Sequence, residues 1–76
     1  MNNYMITMKN NGRKIHAGTV SGDRLKIEES KSSVRIKYIN IYLNNIMTYS
    51  NTIVGSIEVV EKDKENKVFE IIIDLV

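Results

Sequence analysis

The feature that most constrains this chain is a hairpin near its start whose pairing can be checked in two independent ways. Tyr4-Met5-Ile6-Thr7-Met8-Lys9 alternates in polarity, Asn11-Gly12 follows, and Arg13 to Thr19 alternates again. Asn-Gly accepts positive φ at both central positions of a type I′ turn, whose twist matches that of the flanking strands. Closing the chain there sets Lys9 opposite Lys14, Met8 opposite Ile15, Thr7 opposite His16 and Ile6 opposite Ala17. One face then carries Tyr4, Ile6, Met8, Ile15 and Ala17, and the other Met5, Thr7, Lys9, Lys14, His16 and Gly18. Turn chemistry and face segregation agree, which makes the chain β-rich.

Composition points the same way. Ile, Val and Thr make up 23 of 76 residues, whereas Ala occurs once and Leu three times. β-Branched side chains suit a pleated, half-buried surface, and the best helix formers are the scarce ones. A chain of this length is expected to form one domain, residues 1–76, burying roughly 60% of its unfolded surface. Without cysteine there is no disulfide framework, thiolate nucleophile or thiolate metal site. The start lacks a charged segment followed by a long apolar one, so no signal peptide is read there. The longest aliphatic run, Ile71-Ile72-Ile73, is too short to span a bilayer. These features lead to the expectation of a soluble cytoplasmic protein. The abundance of Asn, Ile and Lys is of the kind that A/T-rich genomes encode.

Beyond the first hairpin, Ser21-Gly22-Asp23 forms a turn cluster before the alternating Arg24-Leu25-Lys26-Ile27-Glu28. A three-residue loop there would pair Thr19 with Leu25 and Ala17 with Ile27, bringing Leu25 and Ile27 onto the face of Ile6 and Met8; a two-residue Gly-Asp loop would put them on the other face, and the first is preferred. Ser30 to Ser33 is a polar connection to a fourth strand at Val34 to Tyr38. Residues 39–49 admit two readings. As strand, the apolar phase switches from Val34/Ile36/Tyr38 to Ile39/Ile41/Leu43 and requires a bulge or burial on both faces. As helix, Ile39, Tyr42, Leu43, Ile46 and Met47 fall on one stripe, with Asn40, Asn44, Asn45 and Thr48 opposite. Propensity favours the strand, because Asn is a poor helix former.

The last hairpin runs from Ile53 to Glu61 and from Val68 to Val76, across the loop Asp63-Lys64-Glu65-Asn66. Phe69, Ile71, Ile73 and Leu75 form a core face. The opposite face offers Val68, Glu70, Ile72, Asp74 and Val76, beside Val54, Ser56, Glu58 and Val60 on the partner strand. A strand apolar on both sides is an aggregation hazard at a sheet edge, so it is expected inside a barrel or under another chain. Val54, Val60, Val68, Ile72 and Val76 are therefore the expected interface of a homo-oligomer.

Charge is unevenly distributed. Residues 9–37 hold eight Lys or Arg against three Asp or Glu, a net of +5, and residues 38–76 hold three against six, a net of −3. Strand alternation projects Lys9, Lys14, Arg24, Lys26, Arg35 and Lys37 away from the core, with His16 among them. Such a face attracts phosphates or an acidic protein surface. Base stacking needs exposed aromatic side chains, which this face lacks, so phosphate contact is its nucleic-acid mode. His16 is the only histidine and has no convergent ligands, so no metal site is expected. Glu28 and Glu29 point to opposite sides of a strand, and the serines sit in turns without a base. No catalytic site and no cofactor are expected.

Met8-Lys9-Asn10-Asn11-Gly12-Arg13-Lys14-Ile15, followed by Gly18-Thr19-Val20 and Asp23, resembles the first half of Sm-like RNA-binding barrels. The resemblance covers about a quarter of the chain and implies a small barrel that binds RNA. No helix is expected before the first strand, and the family's second motif is not recognisable after Leu43.

The sequence thus predicts a mainly β fold: a small, strongly curved antiparallel sheet or open barrel of five or six strands, with a short helix at residues 40–49 as the alternative. The function expected is a non-catalytic protein-interaction module. Its expected form is a phage- or mobile-element-encoded inhibitor that engages a host protein, such as a nucleic-acid-handling complex, through the basic face. Direct nucleic-acid binding by the same face is the alternative.

Overall fold

Among the described residues, seven strands build two sheets that face one another across an aliphatic core. The computed structural model of the chain describes residues 1–32, 35–52 and 55–75, and for residues 31, 32 and 35–37 it describes the backbone alone. In chain order the strands are β1 (Asn2–Asn10), β2 (Arg13–Gly22), β3 (Leu25–Ser32), β4 (Arg35–Leu43), β5 (Ile46–Asn51), β6 (Ser56–Asp63) and β7 (Val68–Asp74). One sheet has four strands in the order β2-β1-β7-β6, the other three in the order β3-β4-β5. The expected five or six strands in one curved sheet or open barrel are therefore seven strands in two separate sheets. Two separate sheets among the described residues also stand in place of the small barrel that the Sm-like resemblance implied.

The first hairpin forms on Asn11 and Gly12, at φ 52° and 79°. Lys9 pairs with Lys14, Met8 with Ile15 and Thr7 with His16, as the alternation predicts. The expected pairing of Ile6 with Ala17 does not form. Ile6 pairs with Gly18, and Ala17 bulges out of the ladder. The extra residue shifts the side-chain phase of β2, so that Val20 rather than Thr19 lies beside Tyr4 and packs against the core.

At Asp23-Arg24 the chain leaves the first sheet for the second. The pairing of Thr19 with Leu25 and Ala17 with Ile27 is thereby overturned, because β2 and β3 belong to different sheets. The corner is held by Asn44. Its side-chain oxygen accepts hydrogen bonds from the backbone N–H groups of Asp23 (3.1 Å) and Arg24 (3.0 Å). Its own N–H donates to the Arg24 carbonyl at 2.9 Å. Gly22 permits the close approach, since a Cβ there would lie 3.1 Å from the Leu43 Cβ.

Residues 39–43 and 46–49 are strand, and no helix occurs among the described residues. Asn44 and Asn45, at φ 52° and 67°, make a second tight hairpin turn between β4 and β5. Asn tolerates this left-handed conformation better than other side-chain-bearing residues, which is why a poor helix former is favourable here. The phase switch is absorbed by an irregularity in β4. Ser30 pairs with Tyr38 and Lys31 with Ile36, leaving Lys37 as the extra residue. Tyr38 is consequently exposed, whereas Ile39, Ile41 and Leu43 are buried.

The core joins Tyr4, Ile6, Ile71 and Ile73 of the first sheet to Ile39, Ile41 and Leu43 of the second. Phe69, Ile57, Val20, Leu25, Ile27, Tyr49 and Leu75 pack around it. Tyr4 and Phe69, neighbours on β1 and β7, stack with ring centroids 5.3 Å apart. Across the sheets, the Tyr49 hydroxyl donates to the Met8 sulfur at 3.1 Å. β7 runs parallel to β1 and antiparallel to β6, so it lies inside the sheet. The alternative of an edge strand covered by another chain is thus excluded for β7. Among the described residues no helix is long and apolar enough to cross a membrane.

Candidate interaction surface

The outer face of the four-stranded sheet gathers most of the polar chemistry. On it β2 contributes Lys14 and His16, β1 contributes Thr7 and Lys9, β7 contributes Glu70, Ile72 and Asp74, and β6 contributes Ser56, Glu58 and Val60. The register sets these residues in rows across the sheet, with Lys14, Lys9, Asp74 and Ser56 in one and His16, Thr7, Ile72 and Glu58 in the next. A depression of about 320 Å³ opens between the long side chains, lined by Lys9, Lys14, Ser56, Glu58, Ile72 and Asp74.

Beside it lies a buried polar pair. The Thr7 hydroxyl donates to Glu70 Oε2 at 2.7 Å, and both residues are almost fully buried although they point away from the core. Lys62, displaced by an irregularity between Glu61 and Asp63, brings its Nζ to 3.5 Å from the other Glu70 oxygen. The Thr7 hydrogen bond is the largest cause holding the Glu70 carboxyl below the usual range. Burial pushes it up, and the charges of Lys62 and Lys14 lower it further. In the β6–β7 turn, Asp63 is also held low, chiefly by the Asn66 side-chain amide and then by the Asn66 backbone N–H.

The expected basic residues do not share one face. Lys9, Lys14 and His16 stand on the outside of the four-stranded sheet. Lys26 stands on the outside of the other sheet, its ammonium 5.7 Å from the centre of the Tyr42 ring. Two facing sheets have oppositely directed outer surfaces, so alternation that was continuous along the chain splits in space when β3 changes sheet. Arg24 is exposed at the corner between the sheets. Arg35 and Lys37 belong to β4, and their side chains lie outside the described residues.

Of the expected oligomer interface, Val60, Val68 and Ile72 share the outer face of the last hairpin and are half-buried. Val54 and Val76 lie outside the described residues. Because β7 is an interior strand, the edge-protection reason for an interface at this face no longer applies. Among the described residues, the large exposed apolar side chains are instead Met1, Ile15, Tyr38, Ile46, Met47 and Val59.

Sequence reasoning passed over Arg13, Glu58 and Asp74. Arg13 is an exposed cation at the start of β2, adding a third positive charge to a hairpin without a carboxylate. Glu58 and Asp74 reach the same depression as Lys9 and Lys14 because β1 pairs with β7 in parallel. That pairing spans almost the whole chain and has no local signal. No group of three His, Cys, Asp or Glu side chains able to hold a metal ion occurs among the described residues. No protein-family model, curated protein or solved structure matches the chain significantly.

Proposed function

We propose that this protein is a non-catalytic protein-interaction module that engages an acidic protein surface through the β1–β2 hairpin. The observation that carries this reading is the charge of that hairpin. Residues 2–22 contain Lys9, Arg13 and Lys14 and no Asp or Glu, and Arg13, Lys14 and His16 are exposed on β2, an outermost strand of its sheet. An outermost strand also offers backbone N–H and C=O groups to a partner strand. The module's proposed form is a phage- or mobile-element-encoded inhibitor that engages an acidic surface of a host protein.

Nucleic acid is the less favoured partner. Lys9 and Lys14 share their depression with Glu58 and Asp74, and carboxylates beside a phosphate site oppose binding. Titration of short duplex DNA and single-stranded RNA at low salt separates the two classes. Weak or absent binding is expected. Tight binding whose log K falls steeply with log salt would make nucleic acid the ligand, at about −0.9 per phosphate contacted on a duplex.

A further inference from the structure

The four-stranded sheet is electrically polarised from one edge to the other. Its β2-β1 half carries three cations and no carboxylate between residues 2 and 22. Its β7-β6 half, residues 56–74, carries six Asp or Glu against three Lys. The two outermost strands, β2 and β6, therefore bear opposite charge. We propose that the acidic surface taken by the β2 edge is the β6 edge of a second copy of this chain, so that copies join head to tail and extend the four-stranded sheet. This rests on the basic-hairpin reading above and names its partner.

Strand direction, side-chain parity and charge all select the same contact. β1 and β7 are parallel, and β2 and β6 are each antiparallel to their inner neighbour, so β2 and β6 run the same way. A copy that continues the sheet brings its β6 alongside β2 in parallel. Setting Lys14 opposite Glu58 of the second copy joins opposite charges on the outer face. The same register sets Ile15 opposite Val59 on the inner face. Both are apolar side chains left exposed on outermost strands, Ile15 at 54% and Val59 at 43%. One register thus pairs the charges and covers the two apolar residues together.

Two-fold arrangements lack this complementarity. Pairing β2 with β2 confronts Arg13, Lys14 and His16 with their own kind, and pairing β6 with β6 does the same to Glu58 and Glu61. Like charges directly opposite one another destabilise a strand pair. The favoured contact is therefore heterologous, and such contacts propagate unless their rotation closes a ring. The bulge at Ala17 and the irregularity near Lys62 confine the regular pairing to a few residues on each strand. A short contact of this kind is reversible and salt-sensitive.

Sedimentation velocity over a concentration series at low and high salt tests the proposal on the full chain. The wild type should form species beyond a dimer at low salt and lose them at high salt. Lys14→Glu and Glu58→Lys should each weaken association by roughly tenfold. An equimolar mixture of the two, and the Lys14→Glu/Glu58→Lys double variant, should recover it. Circular dichroism of each variant verifies that the fold is retained, and both positions are exposed. A wild type that stays monomeric throughout, or that stops at a dimer, overturns the proposal. So does full association of the Glu58→Lys variant. If Lys14→Glu alone abolishes association, the basic hairpin keeps its role and only the identity of its partner is wrong.

Discussion

Thr7 on the first strand donates its hydroxyl to the carboxylate of Glu70 on the last, at 2.7 Å, and both are buried on the side of the sheet that faces away from the core. The bond satisfies a carboxylate that burial would otherwise destabilise, and it ties together strands far apart in the chain. Because Glu70 titrates below the ordinary range when folded, its charge contributes stability above the unfolded carboxylate pKa of about 4.3. That contribution disappears as pH falls through the lowered folded value. Thr7→Val should cost about 1–3 kcal/mol at neutral pH and move the Glu70 titration upward. Thermal melts from pH 7 downward, with an NMR titration of the Glu70 carboxyl, measure both. An unchanged Glu70 titration in the variant would show that the hydroxyl does not hold the charge.

Gly22→Ala tests how closely the corner approaches the second sheet. The added methyl would sit 3.1 Å from the Leu43 Cβ and 3.4 Å from the Asn44 side-chain nitrogen. The expected loss is about 1–3 kcal/mol, read from the urea midpoint at constant slope. A variant as stable as the wild type would mean that β2 and β4 separate more freely than their packing implies.

Asn44 and Asn45 occupy the same turn but carry different burdens. Both hold positive φ, yet Asn44 also accepts the two hydrogen bonds that fix the corner between sheets. Asn44→Gly should therefore destabilise by roughly 1–2 kcal/mol, whereas Asn45→Gly should be nearly neutral. Equal effects in chemical denaturation would remove the special role of Asn44.

Adjacent residues on β7 should differ most of all. Ile71 is fully buried in the core, and Ile72 is half-buried on the outer face. Ile71→Ala should cost about 2–5 kcal/mol. Ile72→Lys should leave a folded protein with a loss below about 1 kcal/mol, because the new ammonium reaches solvent beside Glu58 and Asp74. An unfolded Ile72→Lys variant would show that this face is more enclosed than the strand alternation requires.

The local grammar of the chain was readable, and its long-range assembly was not. Asn11-Gly12 announced its turn because both the turn residues and the flanking alternation are contiguous in sequence. Asn44-Asn45 forms a similar turn, but without glycine and beside an irregular ladder it was equally consistent with the polar side of a helix. The division of Phe69, Ile71, Ile73 and Leu75 from Glu70 and Ile72 was visible from period two alone. What alternation cannot reveal is the sheet to which a strand belongs. Leu25 and Ile27 point inward in either arrangement, yet the change of sheet at Asp23 sends Lys26 to the opposite outside from Lys14. The parallel pairing of β1 with β7 was equally hidden, and it alone sets Lys9 beside Asp74 and Thr7 within reach of Glu70.

The adjacency of β1 and β7 also governs when the protein can become itself. The interior of the four-stranded sheet is made from β1 and β7, whose bonded residues Thr7 and Glu70 stand 63 positions apart in the chain. While the ribosome is still adding residues before Val68, the β1–β2 hairpin has only one of its two lateral ladders and Thr7 has no carboxylate to meet. Such a hairpin has little lasting stability in water. The β3–β4–β5 unit, paired through sequence neighbours, can form earlier but would hold Ile39 and Ile41 against no opposing layer. Closure across nearly the full length of the chain carries a high loop entropy before any contact offsets it. Folding should therefore be a single late event, and removal of β7 should leave no stable remnant rather than a smaller sheet.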